Sequence, residues 1–231
     1  HHVKIISKQE FWDALPDVMY HMDEPLADAS AVALYFLSKE AAGHVKVVLS
    51  GEGADELFGG YNIYREPESL KKIAWIPFGV RRVIGKLAAK LPDVKGRDFL
   101  IRAGMKVEER FIGNAYIYRE KEKAQILKNK VTGPSTQEYL RPFFKELESE
   151  NRGSLRDMEK MQSVDLRYWL PGDILQKADK MSMAHSLEVR VPFLDKEVFD
   201  FAAKLPKEAK IAAGTTKYIF RKAVSEFLPQ E

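Results

Sequence analysis

The chain has no cysteine among its 231 residues, which excludes a disulfide framework and fits a reducing compartment. It has no apolar run near the roughly 20 residues needed to span a bilayer, and no signal peptide opens it. A cytoplasmic location and no membrane partner are therefore expected. The five histidines, at 1, 2, 21, 44 and 185, show no paired metal-ligand spacing, so no zinc site is expected. No serine sits between glycines in the strand-turn setting of a hydrolase nucleophile, because Ser50 precedes them. There is no internal repeat or low-complexity tract. The net charge of +3 is too small to argue for nucleic acid by itself. With 45% hydrophobic and 31% charged residues, the composition is that of an ordinary globular protein, long enough for one domain or two small ones.

The chemistry is concentrated in Val45 to Tyr64, VKVVLSGEGADELFGGYNIY. Val45, Val47, Val48 and Leu49 read as a strand buried on both faces of a parallel sheet. Ser50 to Gly53 make a glycine turn that permits positive φ and close approach of a ligand. Ala54 to Phe58 reads as helix, stopped by Gly59 and Gly60. Such a turn into a helix N-terminus favours an anion, with phosphate the natural guest. Glu52, Asp55 and Glu56 would repel a bare phosphate, a conflict that a divalent cation resolves, since Mg²⁺ is held by one or two carboxylates plus phosphate oxygens. Glu52 and Asp55, three apart, can share a helix face, one binding metal while the other handles a proton.

Around this stretch, Gln9 to Met22 is expected to be helical, with Pro16 as a potential kink. DEPLADAS (23–30) is expected to be a loop in which Asp28 or Ser30 caps a helix over Ala31 to Ala42. The sheet is expected to draw its other strands from outside the chain, with His2 to Ile6 the end of one. After Tyr64 the pattern is helical: 80–91, 95–103, 121–128, 136–148, 155–170, 173–184, 196–205 and 215–228, with Lys130 to Ser135 as the main loop. On 80–91 the apolar stripe is Val80, Val83, Ile84, Leu87 and Leu91. Between Pro67 and Lys106 ten basic residues face three acidic ones, an excess that could steer a polyanion but is also the ordinary solvated face of surface helices. Glu188 and Arg190 alternate in an extended run and are expected to pair, and Asp195 to cap the helix from Lys196. Tyr61 and Tyr64 are read as packing residues and His185 as a packing or hydrogen-bonding one.

The string SGEGADELFGGY closely resembles the second signature of the asparagine synthetase family. YWLPGDILQKADKMSMAHSLEVRVPFLD (168–195), GTTKYIFR (214–221) and DEPLADAS resemble further segments in the expected order. The likeness is strong over about 20–65 and 160–225 and rests on position and helical character between them. It implies an α/β, mostly helical fold: a remnant of a parallel-sheet ATP-pyrophosphatase-type (adenine nucleotide alpha hydrolase-like) domain with a helical C-terminal portion. Residues 1–66 would belong to the α/β core and 67–231 to the helical portion of the same synthetase domain. The family's serine-glycine-glycine-x-aspartate-serine phosphate loop and its cysteine-bearing glutaminase domain are absent, so an internal fragment of a longer protein is expected, inactive alone. The family often carries a His-His pair at this point, which favours His1 and His2 as native.

The resemblance implies the chemistry as well. Aspartate's side-chain carboxylate would attack the α-phosphate of ATP, with Mg²⁺ as cofactor, giving β-aspartyl-AMP and pyrophosphate. Ammonia released from glutamine by a glutaminase domain of the parent chain would then attack the acyl carbon. Glu52 would be the general base, Lys180 would offset charge on the phosphates and the intermediate, Asp55 would hold the metal, and Ser50 and Gly51 would line the nucleotide. Lys177 is read as a surface lysine, and Asp179 is weighed as a further metal contact. The expected partners are small molecules and the glutaminase domain, with no nucleic acid; a homodimer is left open. The main alternative is an amide- or lactam-forming synthetase of the same superfamily. A helical nucleic-acid-binding module and a degenerate structural relative are more distant.

Overall fold

The computed structural model describes residues 1–26, 28–114, 118, 120–129, 133–151 and 155–228. The elements in chain order are α1 (Lys8–Met22), α2 (Ser30–Ala42), β1 (Val47–Leu49), α3 (Ala54–Phe58), α4 (Glu66–Lys71), α5 (Phe78–Ala88), α6 (Arg97–Ala103), α7 (Val107–Arg110), α8 (Glu120–Ile126), α9 (Thr136–Glu150), α10 (Asp157–Val164), α11 (Gln176–Met183), β2 (Glu188–Arg190), α12 (Lys196–Lys204), α13 (Lys207–Lys210) and α14 (Tyr218–Val224). The fold is mostly helical with a small parallel sheet. No helix among the described residues is long and apolar enough to cross a membrane. Residues 130–132 of the expected loop lie outside the described set.

The chain divides into two compact units, one of residues 1–58 and 167–206, the other of 59–166 and 207–231. In the first, α1, α2 and α11 bury Ala14, Val18, Met22, Ala31, Val32 and Met181 together. The start of α1 is set by a capping box: Glu10 N–H donates to Ser7 Oγ at 3.2 Å, and Ser7 N–H donates to the Glu10 carboxylate at 2.8 Å. The Asp28 carboxylate accepts from the Ser30 N–H at 2.8 Å, which ends the DEPLADAS loop where α2 begins.

β1 and β2 pair in parallel, with Val47 opposite Glu188, Val48 opposite Val189 and Leu49 opposite Arg190. Two expectations fail here. The chain supplies one of the strands that pair with β1, as well as β1 itself, and residues 2–6 form no strand. β1 is also not buried on both faces, since Val47 is 41% and Leu49 74% exposed. Its β-branched composition reports what a strand of this type is suited to pack against; two strands alone cannot cover both faces of each other.

In the second unit, Tyr64 is fully buried and donates to Asp165 at 2.6 Å, and Asn114 Nδ2 donates to the same carboxylate at 2.8 Å. Arg110 reaches Glu66 and Asp157, each at 2.8 Å. The apolar stripe of α5 does not form core: Val80, Val83, Leu87 and Leu91 are about half exposed. α5 instead packs on α6 through its small-residue face, where a Cβ on Gly85 would meet the Leu100 carbonyl oxygen at 3.0 Å. Backbone contact of that closeness outweighs the apolar periodicity. α10 runs on into a π-type stretch, Asp165–Leu175, that contains Pro171.

Candidate active site

The first unit contains the signature turn. Ser50 N–H donates to the Arg190 carbonyl at 2.9 Å, so the turn begins where the two parallel strands end. In open α/β sheets ligands bind outside the carboxyl ends of the strands. The spacing of the turn follows from two glycines with different duties. Gly53 has φ +85°, and a Cβ there would lie 2.3 Å from a Leu194 methyl, so it serves the fold. Gly51 is exposed and a Cβ on it would meet nothing within 4 Å, which leaves its backbone open to a ligand.

The three carboxylates separate by burial. Glu56 is 1% exposed, whereas Glu52 and Asp55 are half-buried. Glu52 precedes α3 and Asp55 lies in its first turn, so the two stand at the turn rather than on one helix face, and burial sets Glu56 apart from them. α3 has only five residues, so its dipole adds little and any anion must be met by the turn's backbone and by cations.

α11 presents two lysines in different settings. Lys180 is partly exposed and pairs with Asp23, which stands in the left-handed region (φ 63°) just after α1. Each holds the other charged: hydrogen bonding to Lys180 lowers the Asp23 pKa, and hydrogen bonding to Asp23 raises that of Lys180. An exposed pair of this kind contributes little to stability, so Lys180 can be drawn off by a stronger anion. Lys177, read from sequence as a surface lysine, is instead 5% exposed and held by Asp28 and, at 3.5 Å, by Asp173. Positions 177, 178 and 181 form the inner face of α11, and the carboxylates compensate the buried ammonium. Burial pushes the Asp28 carboxyl up, but bonding to Lys177 and Ser30 leaves it below the usual range; Asp173 is raised by burial and then by Asp28. This anchor ties the DEPLADAS loop to the helix that bears Lys180. The sign that could have revealed it was the i, i+4 spacing of Asp173 and Lys177.

Arg190 Nε donates to Glu188 at 2.8 Å, and the Asp195 carboxylate accepts from Glu197 N–H at 2.8 Å. His185 packs on Tyr35 with ring centroids 4.4 Å apart, its Nε2 buried without a hydrogen-bond partner, and burial lowers its pKa. Asp179 is exposed. Sequence reading found no histidine pairing, yet the fold brings ligand atoms of His2, Glu40 and His44 within 4.8 Å of one another.

Comparison with known proteins agrees with the signature turn. The family model for asparagine synthase matches residues 1–231, and the chain belongs to that family. It is 50% identical over 98% of its length to asparagine synthetase [glutamine-hydrolyzing] 1 of Bacillus subtilis, covering 35% of that protein. It is 45% identical over 99% of its length to a putative asparagine synthetase [glutamine-hydrolyzing] of Mycobacterium bovis, covering 34%. A putative asparagine synthetase [glutamine-hydrolyzing] 2 of Methanocaldococcus jannaschii is 28% identical over 84% of the chain. The chain thus spans about a third of the length of the curated relatives it matches.

Proposed function

We propose that the chain is part of a synthetase that converts aspartate to asparagine with ATP through a β-aspartyl adenylate, using ammonia released from glutamine. The observation that carries this reading is the turn at the carboxyl ends of β1 and β2, where Gly51 is uncovered, Glu52 and Asp55 are half-buried and Glu56 is buried, in a member of this family. In this reading residues 1–66 belong to an ATP-pyrophosphatase-type α/β core, and the helical portion, 67–231, returns β2 to it. The partners are small molecules, a glutaminase domain of the parent chain and a second copy of the chain, and the setting is the cytoplasm, where ATP and aspartate are at hand.

Each residue has a task. Ser50 and Gly51 lie along the nucleotide. Glu52 takes the proton from the attacking amine, a role suited to a carboxylate whose site is shielded once substrates bind. Lys180 leaves Asp23 to meet the phosphates and the charge that develops on the acyl centre. Asp55, with Glu52 near it and phosphate oxygens and water completing the shell, fits the oxygen donor set of Mg²⁺. The metal would supply charge neutralisation on the phosphates. Lys177 and Asp28 hold the loop that positions Asp23 and, through it, Lys180.

The test is aspartate-dependent pyrophosphate release from ATP by the full-length parent protein, with glutamine or ammonia present. Release that requires aspartate and yields asparagine supports the proposal. A folded protein that binds ATP but ignores aspartate overturns it in favour of a relative that adenylates another carboxylate. The 231-residue chain alone is expected to turn over no ATP, and measurable turnover would contradict that.

A further inference from the structure

We propose that His2, Glu40 and His44 form a binding site for one divalent transition-metal ion of the zinc class. Glu40 lies in the last turn of α2, and His44 follows the helix end, one helical step away at i, i+4. His2 belongs to the extended segment before α1 and comes to the same place through the fold, far from the other two in sequence. The ligand atoms of the three residues all lie within 4.8 Å of one another. His44 Nε2 is 3.5 Å from the Glu40 carboxylate, and the His2 and His44 rings are tilted with centroids 4.4 Å apart. Tetrahedral ligation at about 2.0–2.1 Å sets ligand atoms roughly 3.3 Å apart, so closure needs only side-chain rotation of groups that are free to move: the side chains of His44 and Glu40 are 52% and 45% exposed.

The donor set decides the class of ion. Two imidazole nitrogens and one carboxylate suit Zn²⁺ and its neighbours, while Mg²⁺ and Ca²⁺ prefer all-oxygen sites. Three protein ligands leave a fourth position for water. The three ligands come from two separate segments, so the role assigned is a clamp. Bound metal would tie residues 1–7 to the end of α2, only a few residues before β1 and the Ser50 turn. The site is independent of the synthetase reading and uses none of its residues.

The experiment is calorimetric titration of the full-length parent protein, made without a purification tag, with ZnCl₂, together with the visible absorption of bound Co²⁺. One equivalent should bind, Co²⁺ should show the intense bands of a tetrahedral N/O site, and excess Mg²⁺ should not displace it. His44→Ala and Glu40→Gln, both at exposed positions where circular dichroism should stay unchanged, should each weaken binding at least about tenfold. Binding that survives both substitutions overturns the proposal, because the ion would then be held by groups other than Glu40 and His44. Absence of stoichiometric binding in the unsubstituted chain overturns it equally.

Discussion

The two units use charge in opposite ways. In the unit of residues 59–166 and 207–231, charges are locked: Arg110 is 3% exposed between Glu66 and Asp157, Lys160 bridges Glu108 and Glu148, and Asp165 is closed off by Tyr64 and Asn114. Burial works against the charged forms of Arg110 and Lys160, yet bonding to the carboxylates raises both pKa values above the ordinary range. In the other unit one lysine is locked in the same manner, Lys177, while the groups around the turn stay half-open and Lys180 holds only an exposed aspartate. Charges whose partners are all internal serve the fold. Charges left at the surface beside an uncovered glycine are available to a ligand.

That contrast can be broken by substitution. The largest effect is expected for Glu52→Gln in the full-length protein, where amide formation should fall by about 10²–10⁴-fold, as for loss of a general base. Aspartate-dependent pyrophosphate release should persist; its equal loss would move Glu52 from proton transfer to binding. Next comes Arg110→Ala, which leaves two carboxylates without their cation and should cost about 3–5 kcal/mol in urea unfolding. Lys177→Ala should cost somewhat less, about 2–4 kcal/mol, because Asp28 is partly exposed and regains solvent. Lys180→Ala should leave the unfolding midpoint unchanged while lowering synthesis in the parent. A large loss of stability there would erase the distinction between the two lysines of α11.

Acid should sharpen the same comparison with a smaller effect. Asp28 and Glu108 have folded pKa values below their ordinary 3.8 and 4.5, and Glu10 is lowered to about 2, first by bonding to Lys4. Each contributes stability above its unfolded pKa that is lost as pH falls through the folded one. Asp173 is raised and has the opposite sign: its contribution is present below about 3.8 and lost as pH rises. Stability should therefore fall on acidification below about pH 4.5, and Asp28→Asn should flatten the lower part of that fall in a pH series of urea melts. Smallest of all, Gly51→Ala should not alter stability, since the added methyl meets nothing, but should weaken ATP binding to the parent. Unchanged ATP affinity would place the nucleotide elsewhere.

Much of this was legible in the residues. The helix Ala54–Phe58 has its expected bounds because a glycine stands on each side of it. Asp195 caps its helix and Glu188 pairs with Arg190, both being contacts between near neighbours. The missed features all depend on partners distant in sequence. Lys177 is buried because Asp28, 149 residues away, meets it. The α5 stripe is exposed because α6 takes the opposite face through Gly85.

By itself, then, the sequence determined the strand-turn-helix signature, the helical remainder and the family, because these follow from local propensity, backbone freedom and short-range spacing. Only the tertiary structure decided which of three turn carboxylates is buried, which of two lysines is locked, that β2 is the partner of β1, and that His2 meets His44. Those outcomes are set by burial and by the approach of groups far apart along the chain, and of them only the locked lysine left a local sign, the i, i+4 spacing of Asp173 and Lys177.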